Sequence, residues 1–301
     1  MKRIFQILII SVISMTAYGQ SDPLLTHFVF DKQSYNPAFV GSKENLDLGA
    51  IYRNQWWSGI DGAPKTANFY MNMPILNNRS GIGLAIVSDK IGFTKMFAAD
   101  ISYAYRMKME KSTLALGLMG RIEKGSYDWE KADPNDVDDT EISGDGGMVG
   151  NIGAGIYFNT DNFYAGLSMP RLTKNSLYLK KDGFERKFNS FYLMAGYVMD
   201  VSNNMKFYPA ALVSFNKDVP FEFELNGNLI FNDAFMVGAS YRYQDAISGL
   251  LQYRFKGGLK AGFAVDFTAS ELKKATTGSF EVMVGYTLQC DDCKIVNLRY
   301  F

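Results

Sequence analysis

The densest concentration of groups that could do chemistry is acidic: Asp128, Glu130, Asp133, Asp136, Asp138, Asp139, Glu141 and Asp145 share one stretch, with only Lys124 and Lys131 against them. Clustered carboxylate oxygens are what hard cations such as Ca²⁺ take as ligands. The spacing lacks the alternating ligands and central glycine of a calcium loop, so a solvated acidic loop is expected and no metal is assigned. A second stretch, Arg171, Lys174, Lys180, Lys181, Arg186 and Lys187, carries the opposite sign. If the two loops meet at one mouth, they could form a lid over it or hold a partner between them. Individual exposed pairs would contribute little and weaken in salt.

Other reactive material is sparse. His27 is the one histidine, and no local serine or cysteine motif orients a nucleophile beside it, so a plain polar contact is expected. Cys290 and Cys293 form a single C-x2-C, which in an oxidising compartment reads as a possible disulfide and is a weak basis for metal or redox chemistry. No glycine-rich phosphate loop is present, and glycines within strands suit curvature and packing. The 31 basic and 31 acidic side chains balance, which gives no generic affinity for nucleic acid. The reading is a protein without catalytic residues and without a cofactor.

The elements that must carry these loops are strands. With 28 Gly, 23 Phe, 18 Tyr and only 8 Pro in 301 residues, composition favours many strands joined by tight turns. Residues 1–19 read as an export signal: Lys2 and Arg3, then the apolar run from Ile4, then Ala17-Tyr18-Gly19 before Gln20. Downstream, alternation is persistent. Phe97, Ala99, Ile101, Tyr103 and Tyr105 make an apolar face, and Asp100, Ser102 and Arg106 lie on the other. Similar alternation recurs to give fourteen candidate strands between Leu46 and Leu288.

Polar mid-strand residues such as Arg121, Glu224, Arg242, Lys260, Asp266 and Glu281 need water or partners, whereas the opposite faces need a second sheet or lipid. A soluble sandwich and a membrane barrel both meet these demands. Connection lengths favour the barrel, because short joins alternate with long ones such as 124–147 and 170–189. The predicted fold is therefore an all-β, transmembrane antiparallel β-barrel of about fourteen strands over 45–289, in the outer membrane. Residues 20–44 form an N-terminal periplasmic or plug segment, and 290–301 a periplasmic tail. Pro209 predicts an irregular ninth strand or a bulge, since proline cannot donate to a ladder.

One stretch is recognisable. Gln20-Ser21-Asp22-Pro23, Tyr35-Asn36-Pro37-Ala38-Phe39-Val40-Gly41, Tyr52-Arg53-Asn54-Gln55-Trp56 and Asp61-Gly62-Ala63-Pro64-Lys65-Thr66 resemble the N-terminal pattern of the PorP/SprF family of type IX secretion outer-membrane proteins. The resemblance implies a component that helps a cognate secreted protein, such as a gliding adhesin with a C-terminal sorting domain, to reach or stay on the cell surface. Other type IX components and outer-membrane lipid are the remaining implied partners. Asn36, Pro37, Ala38, Gly41, Arg53, Gln55, Trp56, Gly62 and Pro64 are its signature positions and the candidates for partner contact. Pro37 and Gly41 are expected to direct the incoming chain, and Arg53, Gln55 and Trp56 to surround the first outward turn. The tail departs from the family pattern in having no Cys-Pro pair. A passive channel or hydrophobic-solute transporter is the alternative function.

Overall fold

In the computed structural model, the described residues are 24–57, 60–127, 145–173, 189–216 and 221–288. The expected export signal, most of the acidic stretch, Lys174 to Lys187, Cys290 and Cys293 lie outside them.

Strands β1 (Asp47–Asn54), β2 (Lys65–Ile75), β3 (Ser80–Ile91), β4 (Thr94–Lys108), β5 (Thr113–Tyr127), β6 (Asp145–Asn159) and β7 (Phe163–Met169) form the first half of one sheet. The second half is β8 (Phe191–Tyr197), β9 (Met199–Ser202), β10 (Met205–Phe215), β11 (Glu222–Phe231), β12 (Phe235–Arg242), β13 (Ala246–Arg254), β14 (Leu259–Thr268) and β15 (Ser279–Thr287). Sequential neighbours pair antiparallel, and β15 pairs with β1 along its length, so the sheet closes on itself. Val198 alone separates β8 from β9, and both pair with β10, giving fourteen strands around a closed barrel.

Period two decides which side is which. Ile101 is 71% exposed on the outside of β4, while its neighbours Asp100 and Ser102 are buried inside. Leu118, Ile122, Ile152, Leu193, Phe263 and Val284 project outward in the same way. An aqueous protein would bury such a continuous apolar wall; a closed barrel in hydrocarbon presents it, because closure leaves no unpaired strand edge for lipid to meet.

Connection length separates the rims. The short connections 76–79, 109–112, 160–162, 203–204, 232–234 and 255–258 share one rim. Asn77, Asn78, Asn232 and Asp233 take left-handed conformations there, as tight reversals demand. The strand ends that bound the longer connections 55–64, 128–144, 170–190 and 269–278 share the other rim, together with the short turns 92–93 and 243–245. The irregularity expected at Pro209 is present: β10 pairs with β9 up to Phe207 and with β8 from Ala210, so the ladder on that side skips Tyr208 and Pro209. On its other side Pro209 keeps register with Gly227 of β11, and the strand facing the gap is interrupted at Val198. There Val198 donates its amide to the Asn162 carbonyl rather than to β10, at 2.7 Å.

Candidate functional site

The interior is occupied by the chain that precedes β1. Thr26, His27, Phe28, Asp31, Lys32, Asn36, Ala38, Phe39, Val40 and Ser42 have essentially no exposed surface. This segment alternates with no strand period; it is a string of turns ending in a short 3-10 turn at Pro37–Phe39. Pro37 starts that turn, where a missing amide proton costs nothing, and the Asn36 side chain caps it by accepting from the Ala38 amide at 2.9 Å.

The segment is anchored in three places. Nearest the long-loop rim, Glu281 of β15 accepts from the Thr26 amide at 2.7 Å and the His27 amide at 3.0 Å, and lies 2.7 Å from His27 Nδ1. Arg53 of β1 joins Glu281 at 2.5 Å and Asp266 of β14 at 2.6 Å. Arg242 of β12 pairs with Glu224 of β11 at 2.9 Å and donates to the Thr26 hydroxyl at 3.1 Å. Two guanidinium groups among three carboxylates, crossed by the Thr26 hydroxyl, leave each buried charge with a counterion, which burial in low dielectric requires.

At mid-height, Asp31 accepts from both the amide and hydroxyl of Ser34 and from Asn68 of β2. Burial outweighs these donors and pushes the Asp31 carboxyl up to about 6. The neighbouring Lys32 donates to the Val29 carbonyl at 2.7 Å and sits 4.8 Å from the centre of the Tyr164 ring. Burial holds its ammonium well below the ordinary lysine range.

Nearest the short-turn rim, the Asn36-Pro37-Ala38 turn lies directly on the barrel wall. The Asn36 side-chain Nδ2 donates to the Ile156 carbonyl at 3.0 Å, and Ser168 donates to the Tyr35 carbonyl at 2.6 Å. Gly117 of β5 and Gly81 of β3 face inward here. A methyl on Gly117 would overlap the Ala38 backbone, and one on Gly81 would overlap the Val40 carbonyl. Glycine inside a strand therefore marks close approach of a second backbone. The segment leaves past Lys43, which pairs with Asp47 at 2.6 Å; Asp47 also binds Lys260 at 2.5 Å.

Apolar packing joins the segment to one side of the wall. Leu24, Phe28, Val29, Tyr35 and Phe39 pack with Tyr157, Tyr164, Tyr192, Met194, Tyr208 and Leu250 from β6 to β13. This side of the lumen is built like a protein core.

The signature positions consequently separate into two groups. Asn36, Pro37, Ala38, Gly41 and Arg53 are buried in the interior contact, so a partner outside the barrel cannot touch them. Arg53 in particular points into the lumen instead of surrounding the outward turn, because its position on β1 has the inward parity of Ile51. Gln55 and Trp56 are half-buried, Gly62 is exposed and Pro64 buried in the first long connection. That connection is tied to its neighbours: the Trp56 amide donates to Ser279 at 3.1 Å, and the Gly92 amide to the Gly62 carbonyl at 2.7 Å. Arg171 is also buried, pairing with Glu123 of β5 at 2.5 Å, beside the Arg121 to Asp100 pair at the same distance. Asp145 opens β6, and His27 serves as a polar contact to Glu281. Among the described residues, no cluster of His, Cys, Asp and Glu could hold a metal.

The polar lumen residues were visible in the sequence as strand-interior charges. Their partners Thr26, Asp31 and Ser34 were not, since nothing periodic marks them. The inward glycines were the available signal for a second backbone against the wall.

A closed fourteen-stranded wall, apolar outside and charged inside, with only short turns on one rim and the long connections all starting from the other, defines an outer-membrane β-barrel. In such proteins the short-turn rim faces the periplasm and the long-loop rim the exterior. More particularly, the chain belongs to the family of type IX secretion system membrane proteins PorP/SprF, whose pattern it matches over residues 17–286. No curated protein matches it. Among solved structures it is similar to the outer membrane protein Omp33 of Acinetobacter baumannii, at 9% identity over 82% of this chain and 100% of that one, with a TM-score of 0.49. A Pseudomonas aeruginosa FadL homologue is similar at 12% identity over 91% and 96% of the two chains, TM-score 0.49. The KdgM porin follows at 11% identity over 81% and 99%, TM-score 0.39.

Proposed function

We propose that this protein is a non-enzymatic platform of type IX secretion that holds a cognate secreted protein, of the adhesin kind carrying a C-terminal sorting domain, at the cell surface. The observation that carries this reading is the filled lumen. Residues 24–46 run through it, with ion clusters at both ends and aromatic packing between, so the barrel is built as a rigid plugged support. A support of this kind presents preorganised loops, and preorganisation lowers the ordering cost of binding.

The exterior rim supplies the binding surface. The first long connection, with Trp57 58% exposed and Gly62 also exposed, is braced against its neighbours at Gly92, Gly278 and Ser279. Crosslinking in the producing cell, followed by purification of the barrel, tests the reading. One secreted protein with a sorting domain should be enriched, and exchange of the 55–64 connection should reduce its recovery. Recovery of unrelated porins alone would count against the platform. Solute flux into reconstituted vesicles well above the empty-vesicle background would instead favour a passive channel.

A further inference from the structure

We propose that the exterior half of the β1–β4 wall is a binding site for a phosphate-bearing lipid of the outer leaflet. Lys65 opens β2, Lys90 closes β3 and Lys95 opens β4, and the ladder register sets them directly opposite one another: Lys65 against Lys90, Lys90 against Lys95. All three are exposed and share the outward parity of Phe69, Ile86 and Phe97. Lys124 of β5 lies one row lower, opposite Phe97, on the same face.

Like charges directly across a ladder repel, and among the described residues no ion pair relieves Lys65, Lys90 or Lys95. The row stands at the exterior end of the wall, where long lysine side chains lying along apolar surface deliver their ammonium groups to headgroup level. Lipid phosphates there are the chemistry that offsets the repulsion.

Directly beneath the row the wall is recessed. Ala50, Ala67, Phe69, Ile86, Val282 and Val284 line an apolar depression. Its cause is the register, which sets small Ala67 between Tyr52 and Ser88, and Ala50 between Phe69 and Val284. Ala67 is two residues below Lys65 and Ser88 two below Lys90, so one ligand can place phosphates on the lysines and an acyl chain in the recess. The cationic row and the recess are independent features at matching heights, and together they select an anionic lipid over a neutral one.

The test uses the full-length folded protein in phosphatidylcholine nanodiscs with diphosphorylated lipid A as the probe, read by native mass spectrometry. Wild type should retain lipid A saturably and in preference to phosphatidylcholine. Exchanging Lys65, Lys90 and Lys95 together for Gln should weaken retention roughly a hundredfold, and Lys90→Gln alone about fivefold, which covers a triple variant that does not fold. Ala67→Trp, which fills the recess and leaves the lysines, should also weaken it, and Lys256→Gln on the periplasmic rim should not. The proposal falls if wild type shows no preference for lipid A, if Lys90→Gln and Ala67→Trp both bind as wild type, or if Lys256→Gln weakens binding equally. Displacement by inorganic phosphate regardless of Ala67→Trp would assign a soluble anion instead. A dimer abolished by Ala67→Trp, with no lipid retained, would assign the recess to self-association.

Discussion

Arg53 and Glu281 are 228 residues apart in the chain, yet they face each other in the register of the strands that close the barrel, and their charges meet at 2.5 Å inside it. The same carboxylate takes the Thr26 and His27 amides. One buried residue thus joins the last strand, the first strand and the lumen segment.

Removing one partner of this pair should cost more than removing both. Glu281→Leu leaves the Arg53 charge buried with a single counterion, and about 3–5 kcal/mol of stability should be lost. The double variant Arg53→Met/Glu281→Leu should recover part of that loss. Thermal unfolding in detergent, followed by heat-dependent mobility on gels, measures the cycle; additive single and double losses would mean that the pair is not coupled.

The lumen segment should control conductance. Gly117→Leu forces a side chain into the Ala38 backbone and should displace the segment, raising single-channel conductance in planar bilayers above a near-closed wild type. Deleting 128–144 should leave conductance low, because the segment closes the lumen without that loop. A large conductance on loop deletion would restore the loop as the lid.

The Asp31 carboxyl should make docking of the segment sensitive to pH. Its folded value is raised to about 6 from 3.8, so the native state binds the extra proton between those values. Stability at this site is therefore greatest below about 4, falls as pH rises, and is reduced by about 3 kcal/mol above pH 6. Lys32 acts in the opposite direction, since its lowered value penalises docking as pH falls. Comparison with Asp31→Asn isolates the carboxylate: the difference in unfolding midpoint between variant and wild type should shrink between pH 7 and pH 4. A constant difference would show that Asp31 does not titrate there.

The apolar outer wall should reject charge. Ile101→Arg, at the centre of β4, should reduce folding into vesicles by about 2–4 kcal/mol, whereas Met109→Arg in the periplasmic turn should be nearly neutral. Equal tolerance at both positions would contradict burial of this wall in hydrocarbon.

Much of the wall was legible because strand parity is local. Alternation at Phe97, Ile101 and Tyr103 names both the strand and its lipid face, and the alternating short and long joins name the rims. Pro209 was legible only in part. Its missing donor announces the broken pairing found beside it, but which neighbouring strand is interrupted there depends on what lies alongside, here Val198 and its bond to Asn162.

The sequence alone determined an exported, closed, two-faced barrel and the family to which it belongs, because those properties are written residue by residue in period, turn type and motif. Only the tertiary structure decided that Asn36, Pro37 and Ala38 lie against inward glycines, that Arg53 turns into the lumen, and that Lys65, Lys90 and Lys95 line up above a recess. Each of these depends on ladder register and on contacts between distant segments. An unalternating stretch such as 24–46 has no local pattern to announce them, and its position is set by the cavity that the closed strands leave.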